Sequence, residues 1–195
     1  MTLSRALVLG YHGCDQSIAN GLVDGSLRPD PGSHKHHWLG PGVYFWEESP
    51  SRAQLWAEAT QRRTGKIGNP AVVGAVINMG NCLNLIDAAH LELVITAHDT
   101  YLKTCKAAGV DIPRNKGPNL DARFLDHAVF ETLHRMRKDD GHPSFDTIRA
   151  FFIEGIPLYE TAGLRTLDHI QICVTNVQQI LGFFHVPNPK DFAYR

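Results

Sequence analysis

Strand-like segments occupy both ends of this chain and a helical stretch separates them, which is the feature that most restricts its fold. Short apolar or alternating runs predict strands at residues 6–11, 43–46, 71–78, 82–86, 147–153, 168–175 and 182–186. A helix begins at Ser49-Pro50, and two longer helices have apolar stripes running from Leu91 to Cys105 and from Phe124 to Met136. This order is not a regular alternation of strand and helix. We predict an α+β fold in a single domain, 1–195, with a helical insert at about 88–140.

The composition describes an ordinary globular domain and excludes several classes of function. The 195 residues are 43% hydrophobic with a formal net charge of -1, which argues against a broad nucleic-acid-coating surface or a polybasic membrane anchor. We expect a cytoplasmic protein with no membrane partner, because we find no signal peptide, no membrane-length apolar run and no C-x-x-C pair. We also expect no metal, since His34-Lys35-His36-His37 lacks the i, i+4 spacing of helical zinc ligands.

Three short segments are unusual for a purely structural domain. Tyr11-His12-Gly13-Cys14 ends a predicted strand, where a histidine is either functional or a packed or capping residue. The run at 38–47, WLGPGVYFWE, bends at its glycines and proline and then presents aromatic rings, either beside a ligand or in the core. In the last segment, alternation places His169, Gln171 and Cys173 on one face, so Gln171 either faces solvent or lines a cleft.

In this order the three segments resemble the diphtheria-toxin-like and poly(ADP-ribose)-polymerase-like ADP-ribosyltransferases, which have a His-Tyr-Glu signature. The histidine position looks like His12 in Tyr-His-Gly, and the tyrosine position looks like Tyr44 in Gly-Pro-Gly-Val-Tyr-Phe. The third position falls on Gln171, which is followed by an alternating strand and an Asn-x-x-Gln-Ile turn. The resemblance implies a split core of two antiparallel sheets with flanking helices that binds NAD as a substrate. The insert at about 88–140 lies outside the comparison.

The resemblance also implies roles for individual residues in the cleavage of NAD. His12 would bind a ribose hydroxyl, the Gly13 backbone would hold the nicotinamide amide, and Tyr44 would stack on the nicotinamide. Gly42, two residues before Tyr44, would also contact NAD. An aromatic ring stacked on the cationic pyridinium is favourable on independent grounds. Cleavage leaves an oxocarbenium-like ribosyl carbon, which a negative charge in the site would stabilise.

Gln171 departs from the glutamate of the family. A glutamine forms hydrogen bonds but carries no charge and cannot act as a base, and losing one electrostatic partner typically lowers a rate by about 10²–10³. Glu154, at the end of the preceding predicted strand, is the leading candidate to compensate. It completes the expected catalytic set of His12, Tyr44 and Gln171. Otherwise the acceptor needs no base, or the protein binds NAD without turnover.

We therefore expect an NAD-dependent mono-ADP-ribosyltransferase that releases nicotinamide and transfers ADP-ribose to an unidentified protein or nucleic-acid acceptor. The alternatives are a silent NAD- or ADP-ribose-binding module and an NAD glycohydrolase. An RNA 2′-phosphotransferase is disfavoured, because no matching arginine lies in the His-Gly or Gly-x-Tyr segments. A compact catalytic domain suits a toxin or defence effector, for which an inhibitory partner protein would be expected.

Overall fold

The computed structural model describes residues 6–32, 37–117, 120 and 122–187, and it confirms a mixed α+β architecture. The strands are β1 (Leu7–Asp15), β2 (Val43–Glu47), β3 (Pro70–Asn78), β4 (Cys82–Asn84), β5 (Thr147–Phe152), β6 (His169–Val174) and β7 (Ile180–His185). The α-helices are α1 (Gln16–Val23), α2 (Pro50–Thr64), α3 (Ala88–Ala108) and α4 (Phe124–Asp139), and a 3₁₀ turn covers Val177–Gln179. Helices α3 and α4 lie within the segment that the sequence analysis describes as a helical insert.

All seven strands belong to one sheet, in the order β4-β5-β6-β2-β1-β3-β7. The expected pair of separate, fully antiparallel sheets is therefore not what the backbone shows, since the sheet is continuous and β4 pairs with β5 in parallel. Continuity depends on a short ladder between β1 and β2, which is recorded at Gly10–Glu47 and Tyr11–Trp46. In contrast, β1 pairs with β3 from Leu7 to Asp15. The sheet thus nearly divides between β1 and β2.

Strand β1 continues past His12-Gly13, where the sequence analysis placed its end. Both residues remain paired with β3, and the strand runs on to Asp15. Gly13 does not form a turn there. A Cβ atom at Gly13 would lie 2.3 Å from the carbonyl oxygen of Ala53, so the glycine allows helix α2 to approach the strand backbone.

One face of the sheet packs against α3 and α4 and forms the first hydrophobic cluster. Its buried members are Leu39, Leu83, Ala97, Val129, Phe130, Leu133, Phe145, Ile148, Ala150 and Cys173. The stripe predicted for α3 is wrong at Leu91 and Ile95, which are 44% and 55% exposed. Cys105 is buried as predicted, and Ala97 is buried in place of the two exposed residues, because the contact of α3 with α4 and the sheet runs along that side.

The other face of β2 and β6 carries the second hydrophobic cluster. It consists of Val43, Phe45, Ala75, Ile77, Met79, Ile172 and Val174.

Helix α2 begins at Pro50 after Ser49, as the sequence predicts, and buries Ala53 and Ala57 against the strands beside Trp46. Across the described ranges, no helix has both the length and the apolar character needed to cross a membrane.

Candidate functional site

The three positions of the resemblance lie on strands that are neighbours in the sheet. His12 is in β1, Tyr44 is in β2 and Gln171 is in β6, and β2 lies between the other two. Tyr44 is opposite Cys173, and Gln171 is opposite Trp46. Segments that are far apart in the sequence therefore meet where the β1–β2 ladder ends.

The His12 imidazole bridges β1 and β2 just beyond the last backbone pair between them. Its Nδ1 lies 2.8 Å from the carbonyl oxygen of Tyr44, and its ring lies 5.8 Å from the ring of Phe45. Because a carbonyl oxygen only accepts, Nδ1 donates and carries the proton. Burial lowers the pKa of His12, while the bond to Tyr44 opposes that shift. The imidazole is therefore held neutral, with Nε2 as a hydrogen-bond acceptor.

The Tyr44 side chain lies on the opposite face of the sheet from the ring contact of His12. It packs with the first cluster, whereas its neighbour Phe45 belongs to the second. The Tyr44 hydroxyl donates to the Gly40 carbonyl at 2.6 Å and accepts from the Leu39 amide at 2.8 Å. Burial raises the pKa of Tyr44, so the hydroxyl stays protonated. Both lone-pair and proton positions of this hydroxyl are therefore used within the chain, and the ring contacts the first cluster and the ring of His37.

The two glycines predicted to contact NAD are packed closely against their neighbours. Gly13 abuts the Ala53 carbonyl, as described above. A Cβ atom at Gly42 would lie 2.4 Å from the sulfur of Cys173 and 2.9 Å from the carbonyl oxygen of Val174. Both positions therefore require glycine for packing, which is sufficient to explain them without a ligand.

Gln171 is half-buried between Trp46 and Ala150, its partners on the neighbouring strands. Its side-chain amide has no recorded hydrogen bond to any residue in the described part of the chain. An amide has donors and an acceptor, so Gln171 has unused hydrogen-bonding capacity for a ligand.

Glu154 lies close to the face that carries Gln171. Its Oε2 is 2.8 Å from Nη2 of Arg52 and 3.8 Å from Nδ1 of His169, which is two residues before Gln171 on the same face of β6. The carboxylate is thus held beside His169, two residues along β6 from Gln171, and its role in compensating for Gln171 stays a prediction. However, Arg52 already pairs with its charge.

Arg52, Trp46 and His169 also belong to this site. Trp46 is one ring of the aromatic run at 38–47, but none of the three was predicted to be a catalytic or binding residue. The Arg52 guanidinium carbon lies 5.5 Å from the centroid of the Trp46 ring. The centroid of the His169 ring lies 6.2 Å from the same Trp46 centroid. Alternation along β6 did place His169 beside Gln171, and that signal could have identified it. No local pattern marks Arg52, because its partner Glu154 is 102 residues away in the sequence.

The histidine run at 34–37 contributes little to the described structure. Residues 34–36 lie outside the described residues, and the ring of His37 contacts the ring of Tyr44 at 5.0 Å. Within the ranges that the structure describes, no group of three or more His, Cys, Asp or Glu side chains could hold a metal ion. The expectation that the protein needs no metal remains a prediction.

Comparisons with known proteins do not place the chain in a family. No protein-family model and no solved structure matches it. A curated protein, the uncharacterized protein MJ0359 of Methanocaldococcus jannaschii, is 22% identical over 182 residues, which cover 85% of this chain and 81% of that protein. Because that relative is itself uncharacterized, the functional argument depends on the geometry of the site.

Proposed function

We propose that this protein is an NAD-dependent mono-ADP-ribosyltransferase that releases nicotinamide and transfers ADP-ribose to a macromolecular acceptor. One observation carries the proposal: His12, Tyr44 and Gln171 lie on three adjacent strands, at the point where the sheet nearly divides. The short β1–β2 ladder is compatible with the split core that the resemblance implies. Because the His12 ring and the Tyr44 side chain point to opposite faces of the sheet, NAD would have to span this near-division to contact both.

The chemical state of each side chain supports this assignment. A neutral His12 offers Nε2 to a ribose hydroxyl, and the Tyr44 ring offers an aromatic face to the cationic nicotinamide. Gln171 offers an unused amide to the ribose. Glu154 supplies the carboxylate that Gln171 lacks, and its partner Arg52 fixes it in place. Breaking the bond between ribose and nicotinamide places positive charge on the ribosyl carbon, which this carboxylate opposes.

The test is incubation of the folded protein with NAD labelled in its adenosine half, together with separate protein, RNA and DNA fractions. We expect nicotinamide release and label in one fraction. Mass spectrometry of that fraction then identifies the acceptor, with Tyr44→Ala and Gln171→Ala as inactive controls. No nicotinamide release and no label transfer by a well-folded sample would exclude the enzyme.

A second candidate function is a module that binds NAD or ADP-ribose without cleaving it. The neutral Gln171 and the pairing of Glu154 with Arg52 favour it, because neither side chain then presents a free negative charge. Calorimetric binding of NAD without nicotinamide release would identify this module. An NAD glycohydrolase would instead produce free ADP-ribose and no labelled acceptor.

The biological setting is part of the proposal. We place the protein in the cytoplasm as a toxin or defence effector, restrained by an inhibitory partner protein. Expression in a host cell with and without candidate partner proteins tests this role. Growth arrest that Tyr44→Ala abolishes would support it, and wild-type growth at full expression would count against it.

A further inference from the structure

Three buried polar atoms, on Trp46 and on two side chains packed near it, have no hydrogen-bond partner among the described residues. They are Nε1 of Trp46, Nε of Arg52 and Nε2 of His169. The side chains of His169 and Arg52 are only 2% and 11% exposed, and Trp46 is buried. A buried polar atom without a partner typically destabilises a protein by about 1–3 kcal/mol. The Arg52 guanidinium carbon and the His169 ring lie 5.5 Å and 6.2 Å from the Trp46 ring centroid, so a polar group bound among these side chains would satisfy all three atoms.

The hydrogen-bonding character of the three atoms defines what that group must be. The indole and guanidinium nitrogens are donors only. Nδ1 of His169 lies 2.6 Å from the Leu167 carbonyl oxygen and so donates its proton there, which leaves Nε2 as an acceptor. The missing group must therefore accept two hydrogen bonds and donate one. A hydroxyl oxygen, with two lone pairs and one proton, has this pattern.

We propose that Trp46, Arg52 and His169 form a binding site for one hydroxyl oxygen, supplied either by water or by a hydroxyl group of the acceptor, and that His169 accepts its proton. Binding of the oxygen is independent of the function proposed above, whereas its use as a nucleophile rests on that function. His169 is then the base that Gln171 cannot be, and the acceptor class is an alcohol.

The reaction at this oxygen balances without any further reactant. The bond between the ribosyl carbon and the nicotinamide nitrogen breaks, and nicotinamide leaves neutral with the bonding electron pair. The hydroxyl oxygen forms the new bond to that carbon, and its proton moves to Nε2 of His169. The resulting imidazolium lies beside Glu154, which stabilises it, and later returns the proton to solvent.

The charges around His169 favour a neutral acceptor over a cationic one. Burial, the largest influence, lowers the pKa of His169, and so does Arg52. The bond to the Leu167 carbonyl, Glu154 from the loop after β5, and the adjacent Asp168 raise it. The imidazole is therefore neutral and able to accept a proton at neutral pH. A guanidinium or ammonium acceptor cannot accept hydrogen bonds from Trp46 and Arg52, and Arg52 repels it.

A high-resolution crystal structure of the protein without NAD tests the oxygen site directly. We expect one ordered water within about 2.7–3.2 Å of both the Trp46 and the His169 nitrogen, and its loss in Trp46→Phe, which keeps a ring but not the donor. A site in which these nitrogens bond to protein groups, with no water between them, would overturn the proposal. This result does not depend on NAD cleavage.

Activity measurements test the chemical role once nicotinamide release has been established. His169→Gln keeps an acceptor near the Nε2 position but cannot take a proton, so we expect transfer to fall by about 10²-fold or more, with NAD affinity unchanged. The wild-type rate should fall on acidification through the His169 pKa, and the variant rate should not. The matched control is His134→Gln, which replaces a half-buried histidine outside the site whose pKa is also lowered by burial, and it should keep the wild-type profile.

Small acceptors separate the two sources of the hydroxyl. With water alone we expect free ADP-ribose, and with added methanol we expect methyl ADP-ribose. Agmatine, a guanidinium acceptor, should give no adduct. An ADP-ribosyl agmatine product, or a wild-type pH profile in His169→Gln, would refute the assignment of His169 and the alcohol class while leaving the proposed NAD cleavage intact.

Discussion

The ion pair between Arg52 and Glu154 should contribute more to stability than an ordinary surface pair. Its atoms are 2.8 Å apart, and the two side chains are 11% and 31% exposed. A hydrogen bond between charged groups contributes about 1.5–3 kcal/mol when buried, and an exposed ion pair contributes about 0.2–1 kcal/mol. For this intermediate burial we expect a coupling free energy of about 1–2 kcal/mol. A double-mutant cycle of Arg52→Met and Glu154→Gln, measured by urea unfolding, isolates it.

The chain provides a matched control for this cycle in helix α2. Arg62 and Glu58 are 4.0 Å apart, and Arg62 is 69% exposed, so the same substitutions there should show a coupling of about 0.2–0.5 kcal/mol. Equal coupling in the two cycles would mean that Arg52 does not hold Glu154 in place. The assignment of Glu154 as the positioned carboxylate of the site would then fail.

Three further predictions concern the strands of the site. Gly13→Ala should lower the free energy of unfolding by about 1–3 kcal/mol, because the added Cβ would overlap a backbone oxygen. At Gly182 an added Cβ meets nothing within 4 Å, so Gly182→Ala should change the free energy of unfolding little, and urea unfolding compares the two variants. Because burial lowers the pKa values of His12 and His169, stability should be full above pH ~6.5, the unfolded value, and decline below it; a smaller decline in His12→Gln, measured from pH 7.5 to 5.5, checks the contribution of His12. Gln171→Glu should not raise the rate of nicotinamide release, because Glu154 already supplies the carboxylate of the site, and an increase of about 10-fold to 10²-fold would show that the site lacks negative charge.

The order of strands and helices could be predicted because it depends on local patterns. Hydrophobic periodicity located β2, β3, β5 and β6, and the Ser-Pro pair located the start of α2. Local patterns failed where tertiary contacts decide the outcome. The extension of β1 to Asp15 depends on pairing with β3, and the buried side of α3 depends on where α4 packs.

The candidate site was predictable only in part for the same reason. The positions of His12, Tyr44 and Gln171 follow from segment signatures, but their relation across the sheet does not. The structure places the His12 ring and the Tyr44 side chain on opposite faces, joined through the Tyr44 carbonyl. That arrangement depends on the end of the β1–β2 ladder, which no single segment specifies.

The charge of the site is also a property of the fold rather than of its signature segments. His12, Tyr44 and Gln171 are all neutral, so a description based on them alone contains no charge for opposing a ribosyl cation. Folding adds Arg52 and Glu154, one cation and one anion from segments 102 residues apart. A carboxylate at 171 would lie on the same strand face as His169, which Glu154 approaches, and two like charges in one site repel each other. A neutral glutamine therefore suits a site whose carboxylate comes from the loop after β5, because it avoids that repulsion and leaves Arg52 with a single partner.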